Sequence, residues 1–240
     1  MTSDGPNDKP ARMYDSGHSM SERTLPPGQH AISFFPRFGV PAFAAYRSPP
    51  AELSISIHGD GVEPGTIGRT ELERLPRREL VADFHCVTTW TVRSVRWEGW
   101  PLRAVYESLL RPRYTGADPP PFLGVRGADG FSTTLFLEDA LSDDVLLADR
   151  LDGAPLGDEH GAPLRLVAPA LYGYKNVKHL SELSLQTAYR AGLAERQTRA
   201  HPRGRVALEE RGRGMPSWAY RLLYRALLRP TLWFYQRSAR

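Results

Sequence analysis

From Leu53 to Leu185 the chain is a succession of short extended segments, with no helix between them long enough to carry one strand over to the next. Leu53-Ser54-Ile55-Ser56-Ile57 alternates with period two, as a half-buried strand does. Phe122–Arg126 and Phe131–Phe136 flank Ala128-Asp129-Gly130, the pattern of a hairpin. Leu80–Val92, Val95–Gly99 and Leu164–Ala168 read as further strands, Val145–Leu151 continues toward the turn Asp152-Gly153, and Val177–Leu185 closes the domain. Helical signals are brief. Thr70–Leu75 has a threonine cap with acids in its first turn and stops at Pro76, Leu102–Leu110 opens after Pro101 and ends before Pro112, and Leu137–Ala140 is one turn. Strand–helix alternation is missing, so the fold class is α+β rather than a parallel α/β sheet. There are no internal repeats.

At 240 residues the chain fits one domain with appendages. Residues 1–23 are polar, rich in Gly, Pro, Ser and Asp and without hydrophobic period, and read as a disordered tail. Residues 24–189 form the domain. Residues 190–240 form a basic extension with 12 arginines against three glutamates; its balance of +9 leaves −5 for the rest of a chain whose net charge is +4. The high pI therefore belongs to the tail and implies no nucleic-acid binding by the domain. No run approaches the roughly 18 apolar residues of a membrane span. With no export signature at the N-terminus, the expected location is cytoplasmic.

Within the extended segments, Ala82-Asp83-Phe84-His85-Cys86-Val87-Thr88-Thr89-Trp90 contains the only cysteine. Its β-forming neighbours put the thiol on or just past the end of a strand. A lone cysteine forms no internal disulfide and is too few ligands for a structural zinc. Two readings stay open: a small buried hydrophobe, or the sole protein ligand to a metal whose other ligands come from a cofactor. His85, its strand neighbour, is expected to point to the opposite face. His58 reads as a solvated histidine beside a turn.

Further blocks are Val95-Arg96-Trp97-Glu98-Gly99-Trp100-Pro101-Leu102, His160-Gly161-Ala162-Pro163-Leu164-Arg165 and Tyr172-Gly173-Tyr174-Lys175-Asn176-Val177-Lys178. In this order, over Leu25 to Gln186, they resemble the molybdopterin-binding domain of the sulfite oxidase family. The likeness is greatest to the short prokaryotic members, including those similar to methionine-sulfoxide reductase catalytic subunits. The resemblance implies a mixed-sheet molybdopterin-binding fold with short helices, here with a C-terminal helical extension. It implies a molybdenum cofactor ligated by Cys86, the metal's protein ligand, with His160, Arg165, Asn176, Val177 and Lys178 holding the pterin and its phosphate, and Lys175 as the alternative to Lys178. It also implies that the aromatic leader Ile32–Gly39 lies across the domain and helps to cover the pterin.

Two departures bear on substrate. Sulfite oxidases carry arginines just after the metal cysteine; here that stretch is Val87-Thr88-Thr89-Trp90. Where they carry a tyrosine at the metal, the matching residue is Asp149, either a proton relay and so a catalytic group, or a loop aspartate. Both departures favour oxygen-atom transfer on a small neutral substrate, sulfoxide-like, within a wall of Thr88, Thr89 and Trp90 that Tyr172 and Tyr174 could face. No haem, flavin or iron–sulfur motif is present, so an external electron-transfer partner is implied. The alternatives are a module that binds or carries the cofactor without turnover and, more remotely, a protein without cofactor in which Cys86 is packing. In the tail, Pro216-Ser217 caps a helix from Trp218 to Arg229, ended by Pro230, with Arg221, Arg225 and Arg229 on one stripe. It either docks on its own domain with the arginines outward, or residues 217–235 meet an anionic membrane surface or a partner. Oligomeric state is not legible.

Overall fold

The computed structural model describes residues 24–37, 50 and 52–238. The expectation for 1–23, and the end of the aromatic leader at 38–39, lie outside them. Two sheets make the body. One has the order β3–β2–β11–β6–β7, from β2 (Ser54–Gly59), β3 (Gly65–Gly68), β6 (Phe122–Gly127), β7 (Ser132–Phe136) and β11 (Leu180–Gln186). The other runs β1–β5–β8–β10, with β4 also on β5 and β9 also on β8. Its strands are β1 (His30–Ile32), β4 (Arg78–His85), β5 (Trp90–Pro101), β8 (Leu146–Leu151), β9 (Ala154–Pro155) and β10 (Arg165–Val167). The β1–β5 and β11–β2 pairs are parallel and the others antiparallel. This is the mixed-sheet α+β architecture expected.

The pleat of the second sheet divides the core in two. Leu147, Leu164 and Leu166 face a large cluster shared with Ile55, Ile57, Trp100, Leu123 and Leu183. Their neighbours Leu146, Ala148 and Val167 point the other way, into a smaller cluster with Phe84, Cys86, Trp90, Val92, Val95 and Trp97. The thiol thus lies on the face of this sheet turned away from the larger core.

Helices are short, as expected, apart from the last. Helix α1 (Arg69–Glu73) is capped not by Thr70 but by Glu71, whose carboxylate accepts the Gly68 amide at 2.9 Å. Helix α2 (Leu102–Val105) continues as a π turn through Leu110 and a 3₁₀ turn containing Pro112, and α3 (Leu137–Ala140) follows β7. After α4 (Leu193–Thr198), the long helix α5 (Ser217–Ser238) does not stop at Pro230 but runs through it. A proline there removes one backbone hydrogen bond and crowds the carbonyl four residues back, which the exposed helix accommodates. His58 Nε2 lies 2.9 Å from Glu182 Oε1 across the β2–β11 pair, rather than merely in solvent.

Candidate functional site

Cys86 does sit just past a strand, but Leu80–Val92 is not one strand. The chain reverses between β4 and β5, with the Cys86 amide donating to the Trp90 carbonyl at 2.9 Å and the Thr89 amide to the Cys86 carbonyl at 3.2 Å. Thr89 takes φ +74°, in the left-handed region that a β-branched residue rarely enters, and it is fully buried. Strain of that kind persists only where the surroundings over-determine it. Here they do. Gln29 donates to the Cys86 carbonyl at 3.2 Å and accepts from Thr91, which also meets His85 Nδ1 at 2.9 Å. His85 is thereby used inside the hairpin, and its burial pulls its pKa down.

A second support comes from 124 residues away in sequence. Arg211, fully buried, donates from Nη1 to the Val87 carbonyl at 2.7 Å and from Nη2 to the Pro27 carbonyl at 2.9 Å. Its guanidinium carbon lies 5.2 Å from the centre of the Tyr172 ring, and Glu209 receives both Arg211 (3.4 Å) and Arg221. Gly28 makes the crossing feasible: at φ +70° it lies where a Cβ would come within 2.7 Å of Arg221 Cγ. Thr88 Oγ1 is 3.1 Å from the thiol. Burial pushes the Cys86 thiol up, while the Thr88 hydrogen bonds and the Arg211 charge pull the other way.

Beyond the hairpin, His160, Arg165 and Lys178 do come together. Arg165 is fully buried and donates to the His160 carbonyl at 2.8 Å, with its guanidinium 4.9 Å from the Trp97 ring and 5.6 Å from Phe84. Gly161, at φ +105°, lets Lys178 approach so closely that a Cβ would lie 2.9 Å from Lys178 Cβ. Lys178 Nζ donates to the Glu159 carbonyl at 2.8 Å. Burial, reinforced by Arg165, lowers Lys178 to about 7; burial alone lowers Arg165 to about 9. Burial, then Lys178 and Arg165, hold His160 down at about 3, so its imidazole is neutral. Phe35 from the leader packs at a tilt on His160 at 4.8 Å and on Phe84 at 5.0 Å. Phe84 in turn stacks on Trp90 at 6.1 Å, joining this cationic group to the thiol's cluster.

Other expected residues are placed differently. Asp149 is not at the thiol. It follows Ala148 on β8 and so points to the opposite face of the sheet, where Arg77 holds it at 2.6 Å and Arg69 at 3.5 Å. Arg77 itself lies over Trp100 of the larger core. This placement gives the proton-relay expectation no support: Asp149 is an ion-pair partner tying α1 and the segment just before β4 to β8. Lys175 is equally structural, buried and bonded to Glu195 at 2.9 Å and to the Thr134 carbonyl at 2.8 Å. The Asn176 side chain is occupied in fixing the 168–172 turn, accepting from the Ala168 amide at 2.7 Å and donating to the Tyr172 carbonyl at 3.2 Å; only its own carbonyl reaches Arg165, at 3.5 Å. The Val177 side chain belongs to the larger core, and its carbonyl accepts from the Leu166 amide. Tyr172 is buried near Cys86, with burial pushing its phenol up to about 12, whereas Tyr174 turns away to donate to the His201 carbonyl at 2.7 Å. Arg211 and Gln29 were not expected, and no local pattern marks either.

Among the described residues, four buried polar atoms at this site lack a hydrogen-bond partner: Thr89 Oγ1, His160 Nδ1, Tyr172 Oη and Arg211 Nε. Each unmet group of this kind costs roughly 1–3 kcal/mol, so a polar group lodged among them would recover that energy. Also among the described residues, no set of three or more His, Cys, Asp or Glu side chains could hold a metal ion by itself. A metal at Cys86 would take its other ligands from a cofactor. Soft thiolate beside buried cations is a donor set that fits a molybdenum group carrying a phosphate.

Comparison with known proteins identifies the family. The family model for the oxidoreductase molybdopterin binding domain matches residues 40–193, more than half of the chain. An uncharacterized oxidoreductase, YuiH of Bacillus subtilis, is 29% identical over 172 residues, 72% of this chain and 84% of that protein. The protein-methionine-sulfoxide reductase catalytic subunit MsrP of Xanthomonas campestris is 33% identical over 141 residues, 54% of this chain but only 44% of MsrP. Among solved structures, the sulfane dehydrogenase SoxCD of Paracoccus pantotrophus is similar with a TM-score of 0.49 at 22% identity, over 67% of this chain and 42% of that one.

Proposed function

Because the chain belongs to the oxidoreductase molybdopterin-binding-domain family, we propose that it transfers an oxygen atom to or from a small neutral, sulfoxide-like substrate beside Cys86. The protein is an oxidoreductase, and its domain is one that binds the molybdenum cofactor. The observation that carries the finer reading is the strained Cys86–Thr89 turn, set against unmet buried polar atoms with His160, Arg165 and Lys178 behind the same aromatic cluster. When bound, the molybdenum group supplies the two-electron redox step: a sulfoxide takes up two electrons and two protons and leaves as sulfide and water.

The chain's own residues do the holding. Cys86 is the protein ligand to the metal, and Thr88 donates to its sulfur, which tempers the thiolate. Lys178 and Arg165 meet the phosphate end, and the neutral His160 offers Nδ1 to the heterocycle. Phe35, packed against the His160 ring, keeps water from that end. For the substrate, Thr88 is the part-buried residue of the turn, Thr89 and Trp90 being packed inside rather than forming the expected wall, and no cation follows the cysteine directly. The guanidinium of Arg211 is balanced by Glu209 and spent on carbonyls, so a sulfite anion finds less attraction here than a neutral sulfoxide. MsrP, named for methionine-sulfoxide reduction, supports the same direction; the match spans less than half of its length. Electrons come from an external donor.

A second reading, a cofactor carrier without turnover, draws on the burial of Cys86 and on Leu228 and Leu232, which pack against its cluster. Metal analysis of wild type and Cys86→Ser, purified from a host that makes the cofactor, tests the ligand: molybdenum should fall at least tenfold in the variant, and equal loading overturns the assignment. Chemically reduced holoprotein mixed with a sulfoxide should be reoxidised with one sulfide formed per two electrons. Failure to reoxidise leaves the carrier reading.

A further inference from the structure

By its described side chains, helix α5 is docked on one face. Ser217 donates to the Glu209 carbonyl at 3.0 Å, Tyr220 is buried, Arg221 is paired with Glu209, and Leu228 and Leu232 lie against the Cys86 cluster. These contacts span both halves of the helix, about 33 Å long at 1.5 Å per residue. They hold it lengthwise along the domain, so its other side is a ridge facing outward.

That outward side is not polar. Trp218 is 62% exposed, Leu222 60%, Leu223 47% and Leu227 45%. Interspersed with them are the exposed Arg225 and Arg229. From Trp218 to Arg229 every residue is apolar, aromatic or arginine, and no acid occurs anywhere between Ser217 and Ser238. A helix docked to cover its own apolar stripe would show the reverse, with leucines inward and arginines outward.

We propose that this face of α5 seats the domain on an anionic lipid bilayer. Leucines and the Trp218 indole enter the boundary between headgroups and acyl chains, and Arg225 and Arg229 pair with lipid phosphates. The charge is complementary to such a surface along the whole helix. Apolar and cationic side chains share one face without the uncharged polar groups that a shaped protein groove would match. The contact is peripheral, since among the described residues no helix is long and apolar enough to cross a membrane.

The test uses the full chain and co-sedimentation with two vesicle types, phosphatidylcholine alone and phosphatidylcholine mixed with phosphatidylglycerol. Binding is expected to the mixed vesicles only, weakening as salt is raised. An arginine near an anionic surface is worth about fivefold in affinity, so R225Q/R229Q should bind roughly thirtyfold more weakly. L222S/L227S should abolish binding. These side chains point away from the domain, so circular dichroism and thermal melting should stay as in wild type. No sedimentation with mixed vesicles, equal binding to both vesicle types, or indifference to both double variants overturns the proposal. So does a dimer in solution that L222S/L227S dissolves while vesicles remain unbound, which would assign the face to a second copy of the chain.

Discussion

Replacing Arg211 by methionine should reveal how much of the Cys86 turn is built by the tail. The guanidinium makes two charge-assisted bonds to buried carbonyls, at 2.7 Å to Val87 and 2.9 Å to Pro27. At about 1.5–3 kcal/mol each, their loss costs roughly 3–6 kcal/mol. Glu209 keeps Arg221, and the methionine refills most of the volume and regains roughly 1–2 kcal/mol of apolar burial. The net is about 2–4 kcal/mol, a large share of a domain's usual stability. Urea unfolding should show it as a lower midpoint at unchanged slope. A purely structural role would end there, but Arg211 also pulls the Cys86 thiol down against burial. With a single cysteine in the chain, alkylation by iodoacetamide reports on that thiol alone. The midpoint of its pH dependence should move up in Arg211→Met. It should move back in Arg211→Lys, which restores a charge without the planar fork and so recovers only part of the stability. A stability within about 0.5 kcal/mol of wild type, the usual scatter for a surface change, together with an unmoved alkylation midpoint, would refute the argument.

Two further outcomes follow from the same site. His160, held neutral down to about 3, takes no proton in the folded chain, whereas the unfolded chain takes one below about 6.5. Stability should therefore fall as pH drops through that window, at up to about 1.4 kcal/mol per pH unit; urea unfolding of His160→Gln at several pH values should show a shallower slope, and an unchanged slope would remove the assignment. Asp149→Asn should lower stability by only about 1 kcal/mol, because its partner Arg77 is well exposed, and should leave sulfoxide turnover by the holoprotein intact. A loss of turnover at unchanged stability would restore the catalytic reading.

What the sequence disclosed depended on how local each cause is. A period-two run announced β2 and a hairpin turn announced β6 and β7, because alternation and turn chemistry are set residue by residue. The reversal after Cys86 was hidden: Val87-Thr88-Thr89-Trp90 are all good strand formers, and no glycine or asparagine marks the positive φ of Thr89. For the same reason the separate strand expected at Val95–Gly99 is the far part of β5, which turns through Ser94 at φ +52° without breaking. His160, Arg165 and Lys178 were singled out by the family resemblance of their blocks, and the fold brings the three together. The ion pairs of Asp149 were not legible because a matching position says nothing of which sheet face it serves, nor were the inward bonds of the Asn176 and Lys175 side chains. Arg211 and Gln29 act across 124 and 57 residues, and such contacts leave no trace in a linear pattern.

The Cys86 turn is clasped from both directions, by Gln29 of the leader and Arg211 of the tail. Its sulfur is therefore a built-in gauge. One thiol-directed label, read against time, registers whether those two distant stretches are seated together.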